Sequence, residues 1–205
     1  MIQWVDIEQE GASLTMMDRC SLTFGDDETA LVSTEVPAAC MASLRPTPRN
    51  ATLREEVGEI LFVGDPYVEV RGARLGISAT DVLPVDPAAP RVFDNNGDGH
   101  SGMSVSVQIL GIAEGATYAL QRVRYTRSGR EISAYRLDGT IEWSDERAVL
   151  EAHNPLLMGN TVGHPEPDPA KQRFAMVRVE EPSTCERLCA YRGWLLGFVE
   201  LARGL

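Results

Sequence analysis

The segment MSVSVQIL, residues 103–110, decides the fold. Val105, Val107 and Ile109 alternate with Ser104, Ser106 and Gln108. A period of two sends successive side chains to opposite faces of a sheet, so this is a strand with one apolar and one polar side. Working outward, PYVEVRGARLGIS (66–78) sets Val68 and Val70 against Glu69 and Arg71. TYALQRVRYT (117–126) and REISAYRLDGTIEW (130–143) have the same character, and Ser128-Gly129 between them reads as a hairpin turn. Asp138-Gly139 lies inside the second run and reads as another tight turn or a bulge. AVLEA (148–152) and RFAMVRVE (173–180) follow, and ASLTMMDRCSLTF (12–24) and ETALVSTEV (28–36) supply strands to the N-terminal half.

Short strands with turn signals and no alternating helices predict an all-β fold, a mainly antiparallel barrel or sandwich. One or two short helices are expected beside it. NATLREEVGEIL (50–61) offers Asn50 as an N-cap, with Glu55 and Glu56 in the early turns. STCERLCAYRGWLLGFVELA (183–202) opens with Ser183 and Glu186 at capping-box spacing, although its apolar end equally fits a last strand. The Pro-rich stretches 83–91 and 163–172 separate no two complete units, so residues 1–205 read as one β-rich domain.

The formal net charge of −11 argues against nucleic acid as a partner, because phosphate binding needs clustered Lys and Arg. The chain has eighteen Arg and one Lys, Lys171, scattered without forming a patch. No apolar run reaches the ~18 to 20 residues of a spanning helix, and MIQWVDIEQEG at the start lacks the basic and apolar regions of a leader. Cys20, Cys40, Cys185 and Cys189 show no CxxC spacing, which disfavours structural zinc. They fit two disulfides in an oxidising compartment, with Cys20–Cys40 and Cys185–Cys189 closing the shortest loops, or four reduced thiols in a core.

Immediately before the deciding strand stands FDNNGDGHSG, residues 93–102. A calcium loop takes side-chain oxygens from positions 1, 3 and 5, needs glycine at 6 and uses a backbone carbonyl at 7. Counted from Asp94, these are Asp94, Asn96, Asp98, Gly99 and His100. The twelfth position, a bidentate Glu in an EF-hand, is Val105 inside the strand, which excludes that motif. The loop resembles the DxDxDG calcium loops found in strand contexts, as in integrin-type propeller blades and thrombospondin repeats. Another carboxylate would have to complete the shell, with Asp81, Asp86 and Glu114 nearby in sequence. The competing reading is a polar turn, since Asp, Asn and Gly are also the residues of tight turns.

FDNNGDGHSGMSVSV, followed by YALQRVRYT, DGTIEW and FAMVRVE, resembles a group of secreted or lipid-anchored proteins of myxobacteria. These carry a DGDG-x-PG-x-(T/S)-V segment ahead of a β-meander, which here would span about 92 to 180. Ser101 replaces their Pro, and Asn96 stands where they often have Asp. The resemblance implies export and a β-rich fold, and it implies no activity.

Signals for catalysis are weaker. GHSGM (99–103) lacks the second glycine of a nucleophile elbow, and His100, His153 and His164 have no zinc spacing. The expectation is therefore a non-catalytic, extracytoplasmic binding or structural module with a calcium-stabilised loop and an unidentified ligand or protein partner. Two rivals stay open. One is a small-molecule carrier whose barrel interior is lined by residues such as Trp143, Tyr118 and Tyr125. The other is a hydrolase using a carboxylate pair in a β cleft.

Overall fold

Each period-two segment contributes strand residues to the computed structural model, which describes residues 2–22, 32–35, 47–74, 80–159, 161–163, 168 and 172–179. The strands are β1 (Ile2–Glu10), β2 (Ser13–Leu22), β3 (Val32–Glu35), β4 (Arg49–Glu56), β5 (Glu59–Gly64) and β6 (Tyr67–Arg71). They continue with β7 (Met103–Ile109), β8 (Ala113–Ser133), β9 (Arg136–Ala152), β10 (Thr161–Gly163) and β11 (Arg173–Val177). All belong to one antiparallel sheet, curled into a half-barrel. Residues 180–205 lie outside the described residues, as do Cys40, Cys185 and Cys189, and with them the expected C-terminal helix and the disulfide pairings.

The 21-residue β8 is the spine. Along one edge it pairs in turn with β7 (113–119), β6 (121–125) and β5 (128–130), while β9 runs along the other edge from Thr117 to Ser133. From β5 the sheet continues through β4 and β2 to β1, and from β7 to β3. The outer edge of β9 takes β11 and β10.

Two sequence expectations are corrected here. Residues 50–61 form no helix. They make the β4–β5 hairpin, because Arg49, Ala51 and Leu53 fall on one strand face, where the first two bury with Phe62 and half-buried Leu53 packs against them. Glu56 pairs with Glu59 across a two-residue turn in which Val57 (φ 51°) and Gly58 (φ 80°) are both left-handed. Such a primed turn normally selects Asn-Gly or Asp-Gly, so Val-Gly hides it. The only helix among the described residues is the 3₁₀ turn Pro155–Leu157, capped by Asn154.

Ser128-Gly129 and Asp138-Gly139 are likewise not turns. The β8–β9 hairpin turns at Ala134-Tyr135, and the two glycines face each other in mid-ladder. Phe62 of β5 pairs with Gly129, Gly129 with Gly139, and Gly139 with Phe174 of β11. In a flat sheet the two phenylalanines would stand three strand spacings apart, roughly 14 Å. Their ring centroids are 5.9 Å apart, in an edge-to-face contact. The sheet therefore bends over the glycine pair, and a Cβ on Gly139 would lie 2.6 Å from the Phe174 ring.

The bend separates two faces. On the concave side, Phe62 (fully buried), Met16, Leu14 and Ala51 form a core that Leu137, Phe174 and Met176 pack against. On the convex side, Leu120, Ala148 and Leu150 are covered by Ala73, Leu83 and Val92 from the excursion between β6 and β7. That excursion is fastened at both ends: Ala73 bridges Val92, Phe93 N donates to Gly72 O at 3.4 Å, and Gly102 N donates to Phe93 O at 2.8 Å. Gly72 and Gly102 must both lack side chains, since a Cβ on Gly72 would sit 2.9 Å from the Gly102 Cα.

Gly139→Val should lower unfolding stability by about 1–3 kcal/mol or more, since its Cβ would collide with Ser128 O as well as lie 2.6 Å from the Phe174 ring. Combining it with Phe174→Ala should cost less than the sum of the single changes, as read from urea melts in a double-mutant cycle. Val57→Asn should raise stability by about 1 kcal/mol in the same melts, because Asn tolerates the left-handed conformation that a β-branched residue resists.

Candidate functional site

The 94–102 loop ends the excursion and delivers the chain into β7. Its closure is local: Asp94 and Gly102 form an isolated parallel bridge, and Asn95 N donates to Gly102 O at 3.3 Å. Within it Asp94 is the organising side chain. One carboxylate oxygen accepts the backbone N–H groups of Asn96 (3.1 Å) and Gly97 (2.7 Å), and the other accepts that of Gly99 (2.8 Å). Gly97 and Gly99 adopt positive φ (78° and 90°), which turns their N–H groups inward.

Asp98 is the second organising side chain. One of its oxygens accepts from His100 N at 3.0 Å, and the other accepts from Asn96 Nδ2 at 3.1 Å and from the Ser104 hydroxyl on β7. Ser104 thus couples the loop to the polar face of the deciding strand. Desolvation pushes both carboxyls upward, but the donors win. The N–H groups of Gly99, Gly97 and Asn96 hold Asp94 below its ordinary range. Ser104, His100 and Asn96 do the same for Asp98.

The residues expected to bind metal are therefore brought onto one turn. Asp94, Asn96 and Asp98 offer hard oxygen, the donor chemistry of calcium. A carboxylate has about four lone-pair sites, so three backbone donors leave Asp94 with capacity for one more partner. The His100 ring is committed elsewhere: Nδ1 lies 3.1 Å from Glu151 Oε2, and the ring stacks on Tyr118 at 3.9 Å with a 10° tilt. Only the His100 carbonyl fits the role assigned to position 7. Of the three nearby carboxylates, Asp81 pairs with Arg91 at 2.9 Å and Asp86 caps its own turn through Ala88 N at 2.8 Å. Glu114 lies on β8 opposite Gln108, toward the other end of β7. Among the described residues no three His, Cys, Asp or Glu side chains converge as a metal-holding group, so oxygens of Asn96 and the backbone would have to share the coordination.

Sequence reading did not connect the loop with the residues on which it rests, naming Tyr118 only as a lining of the barrel interior. Tyr118 on β8 is buried, pairs with Glu151 on β9, and shares a 2.9 Å hydrogen bond between its hydroxyl and His153 Nε2. His100, Tyr118 and His153 form one aromatic group, with the His153 ring 5.5 Å from Tyr118 and 5.9 Å from His100. The β8–β9 register creates this group, and no local spacing announces it. Among the described residues a shallow depression lies between 58–60 and 130–133, lined by charged Glu59, Arg130 and Glu131.

No family model, curated protein or solved structure matches the chain.

Both loop aspartates have folded pKa values below their unfolded ones. The stability they add is therefore fully present above the unfolded value of about 3.9 and is lost as pH falls through the folded values. Asp94→Ala should cost about 0.5–2 kcal/mol near neutral pH, the range of a lost side-chain cap. The variant should also lose less stability than wild type on acidification below about pH 4. Urea melts at stepped pH measure both.

Proposed function

We propose that the chain is a non-catalytic binding or structural module of the extracytoplasmic space whose 94–102 loop takes calcium. One observation carries the reading: Asp94, Asn96 and Asp98 share a single turn in which both carboxyls are held ionised. The turn thereby presents anionic oxygen at neutral pH immediately before β7. Asp94, Asn96, Asp98 and the His100 carbonyl would hold the ion, which would supply positive charge between two carboxylates that otherwise repel each other. Its effect would be mechanical. It would tighten the turn that seats β7 against β8, and with it the excursion that covers the convex core. An unfolded chain cannot hold this arrangement, so binding would stabilise the fold by mass action. Export suits a loop of this kind, because modules outside the cell work with weak calcium sites.

The melting temperature in calcium against a chelator tests the proposal. Wild type should melt several degrees higher in millimolar calcium, with magnesium giving less, and Asp98→Ala should erase the difference. Equal melting temperatures in calcium and chelator would overturn it.

A further inference from the structure

The concave face carries a second polar constellation, away from the calcium loop. Asp18 (β2), Arg49 (β4), Tyr67, Glu69 and Arg71 (β6), and Tyr125 and Arg127 (β8) all point into it. The curl that joins Phe62 to Phe174 also lets side chains of non-adjacent strands meet here. Arg49 donates to the Tyr125 hydroxyl at 2.7 Å and to Asp18, while the Tyr67 and Tyr125 rings pack at 4.8 Å.

Among the described residues, the charges on this face form contact pairs with one left over. Asp18 takes Arg49, and Glu69 takes Arg71 through two bonds of 3.1 and 3.2 Å. Further along, Asp145 takes Arg147 at 2.9 Å. Among the described residues Arg127 makes no contact ion pair; Asp18, already bonded to Arg49, acts on it only at longer range. Among the described residues its guanidinium meets only the Met16 sulfur at 3.7 Å and the rings of Tyr125, Phe174 and Phe62 at 5.2, 5.7 and 5.9 Å. Desolvation and the neighbouring Arg49 disfavour its charge, and the opposing pull of Tyr125 and Asp18 does not make up the difference. Arg49, 4% exposed, is also incompletely satisfied, since its buried Nε–H has no acceptor among the described residues.

Buried cations are ordinarily paired, and an isolated one is costly. Here a chain of net charge −11 places one unmatched guanidinium among aromatic rings on a concave surface. We infer that Arg127, with Arg49 and the Tyr67–Tyr125 pair, forms a binding site for a small carboxylate with an apolar or aromatic body. The unmatched charge is a single unit, which a carboxylate neutralises and a phosphate dianion exceeds. A planar carboxylate also matches the guanidinium fork, and the rings would receive the body of the ligand. The inference is independent of the calcium loop, and its test uses no calcium.

Benzoate is the probe, with acetate and phosphate as comparisons, titrated into the whole chain at constant ionic strength by calorimetry and by tyrosine ring NMR shifts. Benzoate should bind one to one and more tightly than acetate or phosphate, shifting the Tyr125 signals. Arg127→Leu should weaken it by about tenfold or more, the loss expected for one charge-assisted hydrogen-bonded contact. Arg127→Lys, which keeps the charge without the fork, should fall between, and it serves as the variant if the leucine form does not fold. No saturable benzoate binding to wild type would overturn the proposal, as would equal binding by the Arg127 variants. Phosphate binding as tightly as benzoate would overturn the assignment to carboxylates.

Discussion

One row of residues sets the shape on which everything else depends: Phe62, Gly129, Gly139 and Phe174, each paired with the next across adjacent strands. A sheet needs a reason to bend sharply, and side chains between the strands normally prevent it. Removing both Cβ atoms at the centre lets the outer rings close over the backbone, and burying a phenylalanine stabilises the fold by about 1.5–3 kcal/mol. The glycines weaken the ladder locally through lost entropy and packing. The rings recover that loss as buried area, so the bend is a packing solution rather than a defect.

Those same glycines explain how far the sequence could be read. Alternation is a local signal, and it located β2, β6, β7, β8, β9 and β11 because each buries one face. Glycine beside Ser128 or Asp138 is also a local signal, but its usual meaning is a turn. What decided otherwise was Phe174, far along the chain, whose ring occupies the missing side chain's place. The β4–β5 hairpin failed for a related reason. Asn50 and two glutamates imitate a helix start, whereas burial of Ala51 and Leu53 against Phe62 is a tertiary fact. β1 lies at the end of the pairing order, and its apolar Ile2, Trp4, Val5 and Ile7 break alternation between Trp4 and Val5, where the register also shifts, so its pattern gave no cue.

The acidic loop was legible in its spacing and illegible in its surroundings. Positions 94, 96, 98 and 99 were recognisable from residue type alone. The support beneath them, Ser104 on β7 and Tyr118, Glu151 and His153 on the long hairpin, depends on a register that no motif encodes. The two faces of the sheet then divide the polar work. On the convex side carboxylates meet backbone donors in a turn. On the concave side guanidinium groups meet rings and a minority of acids, giving a local positive character inside a strongly acidic chain.

The bend also orders events in time. Met16 touches Arg127 from 111 residues away, and Arg49 reaches Tyr125 across 76. During synthesis Phe62 can meet Met16, Leu14 and Ala51 early, but its contact with Phe174 can form only after that distal residue has emerged. The long β8–β9 hairpin contains its own partner and can form first, as a template against which earlier and later strands are laid. High sequence separation of this kind slows folding. The half-barrel is thus a late product of the chain, closed by its distal strand rather than built up from its beginning.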